Sequence, residues 1–319
     1  MKTMLSQSLY YLRSMRVYLF LLSGTAGWLG IVYSGFEFDL SKTILISLIL
    51  FVGWGVNQVL NDILGLKEDK INAPHRPLVT GDLSLRFAVI ISLVLFVLGI
   101  FVTFLLNKYA IWLYLLSFIL NYLYEYLKRI PLLGNIVFGL ILSTCVFYSA
   151  MCLGGTTFSV IIGIKEILVA SYIVFIANFV CVFYTYFKDY EGDKRTGIKT
   201  IVVALGREKS SKLNIGFGLI PTLLIPFFIY QLTPKFSLNW IFLTLIFLYS
   251  IINFKVIISF GREYTGKKVY YFQKWSFLSA ILYQAIFISI PKPAAGMVLF
   301  VASYIAVLWL FGYYKDYKG

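Results

Sequence analysis

The chain has 319 residues, 60% of them hydrophobic and 18% aromatic, with a mean hydropathy of +0.85 and a formal charge of +14. Only 13% of residues are charged, about half the share of an average globular domain, which excludes an ordinary water-soluble fold. A charge of +14 invites a nucleic-acid partner, but the placement of the basic residues gives it another meaning.

Ten apolar stretches are long enough, at about 20 residues per crossing, to span a bilayer as helix. They run Val17–Tyr33, Thr43–Leu60, Phe87–Leu106, Ala110–Tyr124, Leu132–Leu153, Ile167–Phe187, Leu213–Ile229, Trp240–Phe260, Trp275–Ile290 and Gly296–Tyr313, the fourth being short. None alternates as a barrel strand would, which leaves helix as the way to satisfy the backbone in lipid. The predicted fold is an all-α, polytopic bundle of nine to ten transmembrane helices, one integral-membrane domain over residues 1–319. No cleavable leader is evident, because the first stretch is long and lacks a small-residue cleavage site.

With both termini on one side, 22 of the 28 lysines and arginines fall in the segments of that side. The opposite side has Lys42, Lys108, Lys165, Lys235 and Lys292, while Lys255 lies inside a span. This is the positive-inside bias, and it supports an even number of spans with the richer side in the cytosol. The positive charge therefore reports topology, anionic headgroups or a phosphorylated substrate, and no nucleic acid is expected. Cys145, Cys152 and Cys181 all fall within spans, form no CxxC pair and read as packing residues.

Carboxylates number 14, and six of them sit in two short runs that follow the second and sixth spans. The first is Asn61-Asp62-Ile63-Leu64-Gly65-Leu66-Lys67-Glu68-Asp69; the second is Lys188-Asp189-Tyr190-Glu191-Gly192-Asp193. Four spans apart, the runs emerge on the same side, in the manner of a parallel internal repeat with a polar site between its halves. If each continues its helix, Asn61, Asp62, Gly65 and Asp69 share a stripe of roughly 100° with Glu68 beside it. Asp189 and Asp193 share a face with Thr185 and Asn178 below them. Glu191 points elsewhere unless the helix ends first, for which Gly192 and Gly197 offer the means.

Two acidic clusters facing across a cavity can hold magnesium, a hard cation bound through oxygen, against a diphosphate leaving group. Lys70, His75, Arg76, Lys194 and Arg195 follow the runs closely enough to grip phosphate, Arg as a fork and Lys as a point charge. A third segment offers Tyr124 and Lys128 on one helical face. Either run alone is most simply a solvated helix end, and His75 alone is most simply a loop residue. Two runs in matched positions, holding the acidic concentrations of the chain, carry more weight. Aromatic side chains are mostly lipid-facing, though a few lining a cavity would stabilise an allylic cation.

These residues resemble a known family. Asn61-x3-Gly65-x3-Asp69-x2-Asn72-x-Pro74-x-Arg76-Pro77 looks like the first signature of the UbiA-type intramembrane prenyltransferases. Asp189-x-Glu191-Gly192-Asp193, with Gly197-x2-Thr200 and Gly206, looks like their second, and Tyr124-x3-Lys128 with Gly134-Asn135 looks like the loop between them. The resemblance implies a helical bundle around a central cavity, capped by the two long loops 62–86 and 188–212, with nine core spans. It also implies magnesium-dependent use of an isoprenyl diphosphate. One departure stands out: Gly65 replaces the middle Asp of the first signature, and Asp62 or Glu68 is expected to compensate.

The reading that results is a prenyltransferase in the lipid bilayer with its site facing the cytosol. Asp62, Asp69, Asp189 and Asp193 are the expected catalytic carboxylates, and these four with Glu68 and Glu191 are the candidate Mg2+ ligands. Asn61, Asn72, Arg76, Tyr124, Lys128, Lys194 and Arg195 would bind an isoprenyl diphosphate, and the prenyl group would pass to a lipophilic, aromatic acceptor. The alternative with the same ionisation step is a membrane terpene cyclase, in which an internal alkene captures the cation. A reading from another class, a cation-coupled transporter or lipid-binding protein, would favour carboxylates near mid-span rather than at an edge.

Overall fold

The computed structural model describes residues 3–314 apart from 233, 234, 236 and 267. The basic residues Lys2, Lys267, Lys315 and Lys318, counted above toward topology, lie outside the described residues. In chain order the helices are α1 (Met4–Ser14), α2 (Phe20–Tyr33), α3 (Leu40–Leu64), α4 (Leu66–Asn72), α5 (Pro77–Thr80), α6 (Leu85–Asn107), α7 (Ile111–Leu127) and α8 (Leu133–Gly154). There follow α9 (Phe158–Ile162), α10 (Lys165–Thr196), α11 (Ile201–Leu205), α12 (Arg207–Leu232), α13 (Trp240–Arg262), α14 (Lys268–Ile288) and α15 (Pro293–Tyr314).

Each of the ten apolar stretches is a helix, and the short ones belong to the loops. Local chemistry sets the ends. Asp39 caps α3 by accepting from Lys42 N–H (2.9 Å), Ser84 caps α6 through Phe87 N–H (3.3 Å), and Asn239 caps α13 through Phe242 N–H (2.9 Å). α10 stops at Gly197, whose φ of +78° only glycine adopts at little cost, with Ile198 N–H returning to Asp193 O at 2.8 Å. The chain thus leaves α10 one turn after the second acidic run, not within it at Gly192.

Eight segments are long and apolar enough to cross a membrane. One of them, Leu85–Leu127, folds back at Lys108–Ala110 to make α6 and α7. α14 is not among the eight because Gln273, Ser276, Ser279 and Gln284 dilute its hydropathy, yet all four are buried. They bond other helices instead of lipid: Thr25 Oγ1 donates to Gln284 Oε1 (3.2 Å), and Ser279 Oγ to Asn253 Oδ1 (3.1 Å). Among the described residues ten helices thus carry the ten apolar stretches, and the ring of Phe311 meets that of Tyr18 edge-on at 5.4 Å.

α2, α8, α10 and α14 form the buried centre. α6 shows the opposite character: Ala88, Gly99, Thr103 and Asn107 are buried while Leu93, Val97, Phe101 and Leu105 are exposed, an apolar surface suited to lipid. Close helix approach in a membrane relies on small residues. At Gly30 of α2, a Cβ would collide with the backbone carbonyl of Val146 on α8. Gly30→Val should therefore cost about 1–3 kcal/mol of stability through overpacking, read as a lower unfolding midpoint in detergent. Gly24→Val, at a position on the same helix with open space around it, should change the midpoint little.

Candidate functional site

At the end of the bundle where both acidic runs emerge lies a cavity of ≈ 130 Å³ walled by α2, α3, α4, α7, α8, α10 and α14. Its mouth is lined by charge and its depth by rings and aliphatics: Trp54, Phe138, Val182 and Phe277 below, Glu68, Asp69, Arg76, Lys128, Asp189 and Asp193 above. Of the residues singled out in the sequence, Asn61, Glu68, Asp69, Asn72, Arg76, Tyr124, Lys128, Asp189 and Asp193 line it, together with His75 and Thr185.

The first run reaches the cavity because the helix breaks at Gly65 and resumes at once. Gly65 N–H donates to Asn61 O (2.8 Å) and Asp69 N–H to Gly65 O (3.0 Å), so Asn61, Gly65, Glu68, Asp69 and Asn72 present one side. Asp62 does not. It is 1% exposed and pairs with the guanidinium of Arg16 and with Arg76 Nη1 at 3.1 Å. Arg16 is placed for this by a backbone in the left-handed region (φ +51°), uncommon for a residue other than glycine, and it also donates to Gln58 Oε1 at 2.6 Å. The expectation that Asp62 compensates for Gly65 thus meets a carboxylate already buried behind two arginines.

The second run continues α10, so Asp189 and Asp193 face the cavity one turn apart, with Thr185 below. Asn178 is not part of the site; its Nδ2 bonds Val174 O (2.8 Å). Because the helix persists to Thr196, Glu191 turns outward and pairs with Arg207 at 2.8 Å. Lys194 and Arg195 are exposed, Lys194 lying 5.6 Å over the Tyr190 ring. Glu191, an expected metal ligand, and Lys194 and Arg195, expected to bind diphosphate, do not line the cavity because helical phase carries them away.

Asn72 fastens the two runs together. Its Nδ2 donates to Asp189 O (2.9 Å), its Oδ1 accepts from Gly192 N–H (2.8 Å), and its own carbonyl accepts from Tyr270 OH (2.8 Å). A Cβ at Gly192 would strike this side chain, which explains a glycine within the last turns of α10. The third segment is tied in similarly: Tyr124 OH donates to Tyr186 OH (3.4 Å), and Asn121 Nδ2 to Asn61 Oδ1 (2.9 Å).

Three of the carboxylates at the mouth are paired with cations. Asp69 meets Arg76, Asp189 meets Lys188 (3.3 Å) and Glu125 meets Lys128 (2.5 Å). Burial pulls the pKa of Arg76 down, but Asp69, Asp62 and Asp189 more than offset this and raise it. Lys128 follows the same logic: burial lowers its pKa, Glu125 and Asp193 raise it, and the net direction is up. Both cations therefore stay charged. Sequence reasoning missed Arg16, Gln58, Glu125, Lys188, Tyr270 and Gln273 in this lining. The available signals were weak: Lys188 adjoins Asp189, and Glu125 lies between Tyr124 and Lys128.

Among the described residues no three acidic, imidazole or thiol side chains make a ready metal cage. Magnesium does not need one, since it keeps waters and binds through one or two carboxylates plus phosphate oxygens. Hard oxygen donors from two helices lining one cavity, Asp69 and Glu68 of α4 with Asp189 and Asp193 of α10, fit that mode.

Residues 20–278 match the model of the UbiA prenyltransferase family. The chain is 31% identical over 247 residues to the digeranylgeranylglyceryl phosphate synthase of Sulfurisphaera tokodaii, covering 76% of this chain and 84% of that one. It is 29% identical over 216 residues to the Pyrococcus horikoshii protein of the same name, covering 66% and 74%. In fold it is similar to a UbiA homologue from Aeropyrum pernix (TM-score 0.71, 20% identity, 85% of this chain and 98% of that chain). A UbiA homologue from Archaeoglobus fulgidus solved with GPP and Mg2+ is similar too (TM-score 0.64, 20% identity, 92% and 99%).

The Asn72 clamp makes a direct prediction. Asn72→Ala removes both side-chain bonds to α10, and turnover should fall by roughly tenfold to a hundredfold, the usual cost of losing a group that orients ligands. The check is a comparison of initial rates at saturating magnesium with the unfolding midpoint. A rate unchanged within a factor of two would remove Asn72 from the site.

Proposed function

The chain belongs to the UbiA prenyltransferase family, and on that premise we propose that it moves an isoprenyl group from an allylic prenyl diphosphate to a lipid-soluble acceptor, with Mg2+ as cofactor. The observation that carries the reading is that Asp69 and Glu68 of α4 and Asp189 and Asp193 of α10 line one cavity together with apolar, ring-bearing side chains. Bound magnesium would neutralise charge growing on the diphosphate oxygens as the C–O bond breaks. Arg76, Lys128 and Lys188 would then exchange their carboxylate partners for phosphate oxygens, Arg76 as a fork and the lysines as point charges. Asp62 holds Arg16 and Arg76 in place from behind, and Asn61 and Tyr124 shape the wall beside them.

The electron pair of the broken bond leaves with the diphosphate, and the allylic cation sits among Trp54, Tyr124, Phe138 and Phe277, whose ring faces attract it. An acceptor hydroxyl then forms the new C–O bond, and its proton is released at the mouth. Exclusion of water by the aromatic depth protects the cation until that step. The relatives named above make a lipid with two geranylgeranyl chains on a glyceryl phosphate, so a glyceryl phosphate already carrying one such chain is the acceptor class we favour over the aromatic one expected from sequence. The cyclase alternative gains no support from these relatives.

Purified protein with geranylgeranyl diphosphate, magnesium and the singly prenylated glyceryl phosphate should yield the doubly prenylated lipid by mass spectrometry. Cyclic products without acceptor would overturn the transferase reading, and turnover of a prenylated aromatic product instead would overturn the acceptor. Asp69→Asn or Asp189→Asn should lower the rate roughly a hundredfold or more, with EDTA doing the same to the unmodified protein; full activity of either under EDTA would end the metal assignment.

The basic-residue bias supports a mouth that faces the cytosol. A cysteine at Arg195, the exposed end of α10, should react with an impermeant thiol reagent only when the cytosolic face is open. Labelling from the other face would invert the topology.

A further inference from the structure

Gly65 leaves the first acidic run with a gap on the cavity wall. Asp62 is committed to Arg16 and Arg76, so Asp69 and Glu68 are the carboxylates of that run that line the cavity. The gap is nevertheless bordered by acid. A Cβ built on Gly65 would lie 3.8 Å from Glu125 Oε2 and 3.9 Å from Glu68 Oε2. An Asp carboxylate at residue 65 would extend from that Cβ by one bond to its carbon and a second to its oxygens, so Glu125 brings its oxygen into the space such a group would sweep. Glu125 comes from α7, outside both acidic runs.

Its position is fixed from the same helix. Asn121, one turn earlier, donates to Asn61 Oδ1 (2.9 Å) and sets α7 against α3. Lys128, one turn later, meets Glu125 Oε2 at 2.5 Å. Glu125 is 9% exposed and lines the same cavity as Asp69 and Asp189. Among the described residues its ion-pair partner is Lys128, which would be drawn to diphosphate, and that exchange frees the carboxylate as the metal arrives.

We propose that Glu125, acting across the gap at Gly65, is a magnesium ligand of this enzyme and takes the place of the carboxylate that the first run lacks. The inference rests on the proposed function: it names a ligand for the metal that reading requires. A ligand borrowed from α7 also couples metal binding to the α3–α7 contact, which ties the Tyr124–Lys128 segment into the site on the arrival of substrate.

The test uses the full-length protein in detergent with Mn2+ as probe and inorganic diphosphate as the phosphate source, read by manganese electron paramagnetic resonance. Glu125→Gln should weaken diphosphate-dependent Mn2+ binding by roughly tenfold or more and raise the magnesium concentration for half-maximal rate in parallel. Placing Gly65→Asp in the Glu125→Gln background should restore both, because the new carboxylate reaches the same space from α3. Glu125→Asp, which keeps the charge one methylene shorter, should fall between.

Unfolding midpoints without metal report on folding, and if Glu125→Gln fails to fold, the Glu125→Asp and Gly65→Asp/Glu125→Asp proteins give the same comparison. Metal binding by Glu125→Gln within a factor of two of the unmodified protein would overturn the assignment of Glu125. So would a double variant with no recovery. Absence of diphosphate-dependent Mn2+ binding in the unmodified protein is a different result, and would sink the proposed function with it.

Discussion

An ionised carboxylate at the edge of an apolar bundle costs several kcal/mol unless a cation or metal compensates it. Here five carboxylates, Glu68, Asp69, Glu125, Asp189 and Asp193, line a cavity together with Arg16, Arg76, Lys128 and Lys188. Asp69 pairs with Arg76, Asp189 with Lys188 and Glu125 with Lys128, so three of the five carboxylates have a cation against them. Each pair also contains one group suited to a divalent cation and one suited to phosphate. In the proposed reaction, a magnesium diphosphate therefore replaces these three ion pairs with better matched contacts, so the site pays little in desolvation to open.

That exchange works only if the walls hold still. Asn72 fixes α4 to α10 through Asp189 O and Gly192 N–H, and Asn61 with Asn121 fixes α3 to α7. Neutral amides suit this task, because they bond backbone and each other without competing for the metal or the phosphate. Below them the bundle provides the reverse environment. The rings of Trp54, Phe138 and Phe277 and the aliphatic side chains of Leu22 and Val182 give the cavity an apolar part, which in the proposed reaction would shield a cation from water.

Much of this was legible in the sequence. Hydropathy marks all ten long helices, and the bias of the basic residues marks their even number. The phase of α10 is also legible, since an i,i+4 pair on a helix that stays helical must share a face. What was not legible depends on contacts far apart in sequence. Asp62 reads as a ligand until Arg16, 46 residues earlier, is brought to it by a left-handed backbone that no composition rule would place there. Glu191 reads as a ligand only if α10 ends at Gly192, and that glycine instead makes room for Asn72. Glu125 carries no mark in the sequence beyond lying between two expected residues, because its approach to Gly65 follows from the packing of α7 on α3.

The central claim is that the two acidic walls receive a metal–diphosphate together by exchanging partners. Anomalous diffraction from crystals soaked with Mn2+ and a non-reactive prenyl thiodiphosphate tests it most directly. The account predicts manganese between Asp69 and the Asp189–Asp193 face, with Arg76 and Lys188 moved from carboxylates to phosphate oxygens. Manganese bound at Asp62 or Glu191, or a bound diphosphate with the Asp69–Arg76 and Asp189–Lys188 pairs intact, would contradict it.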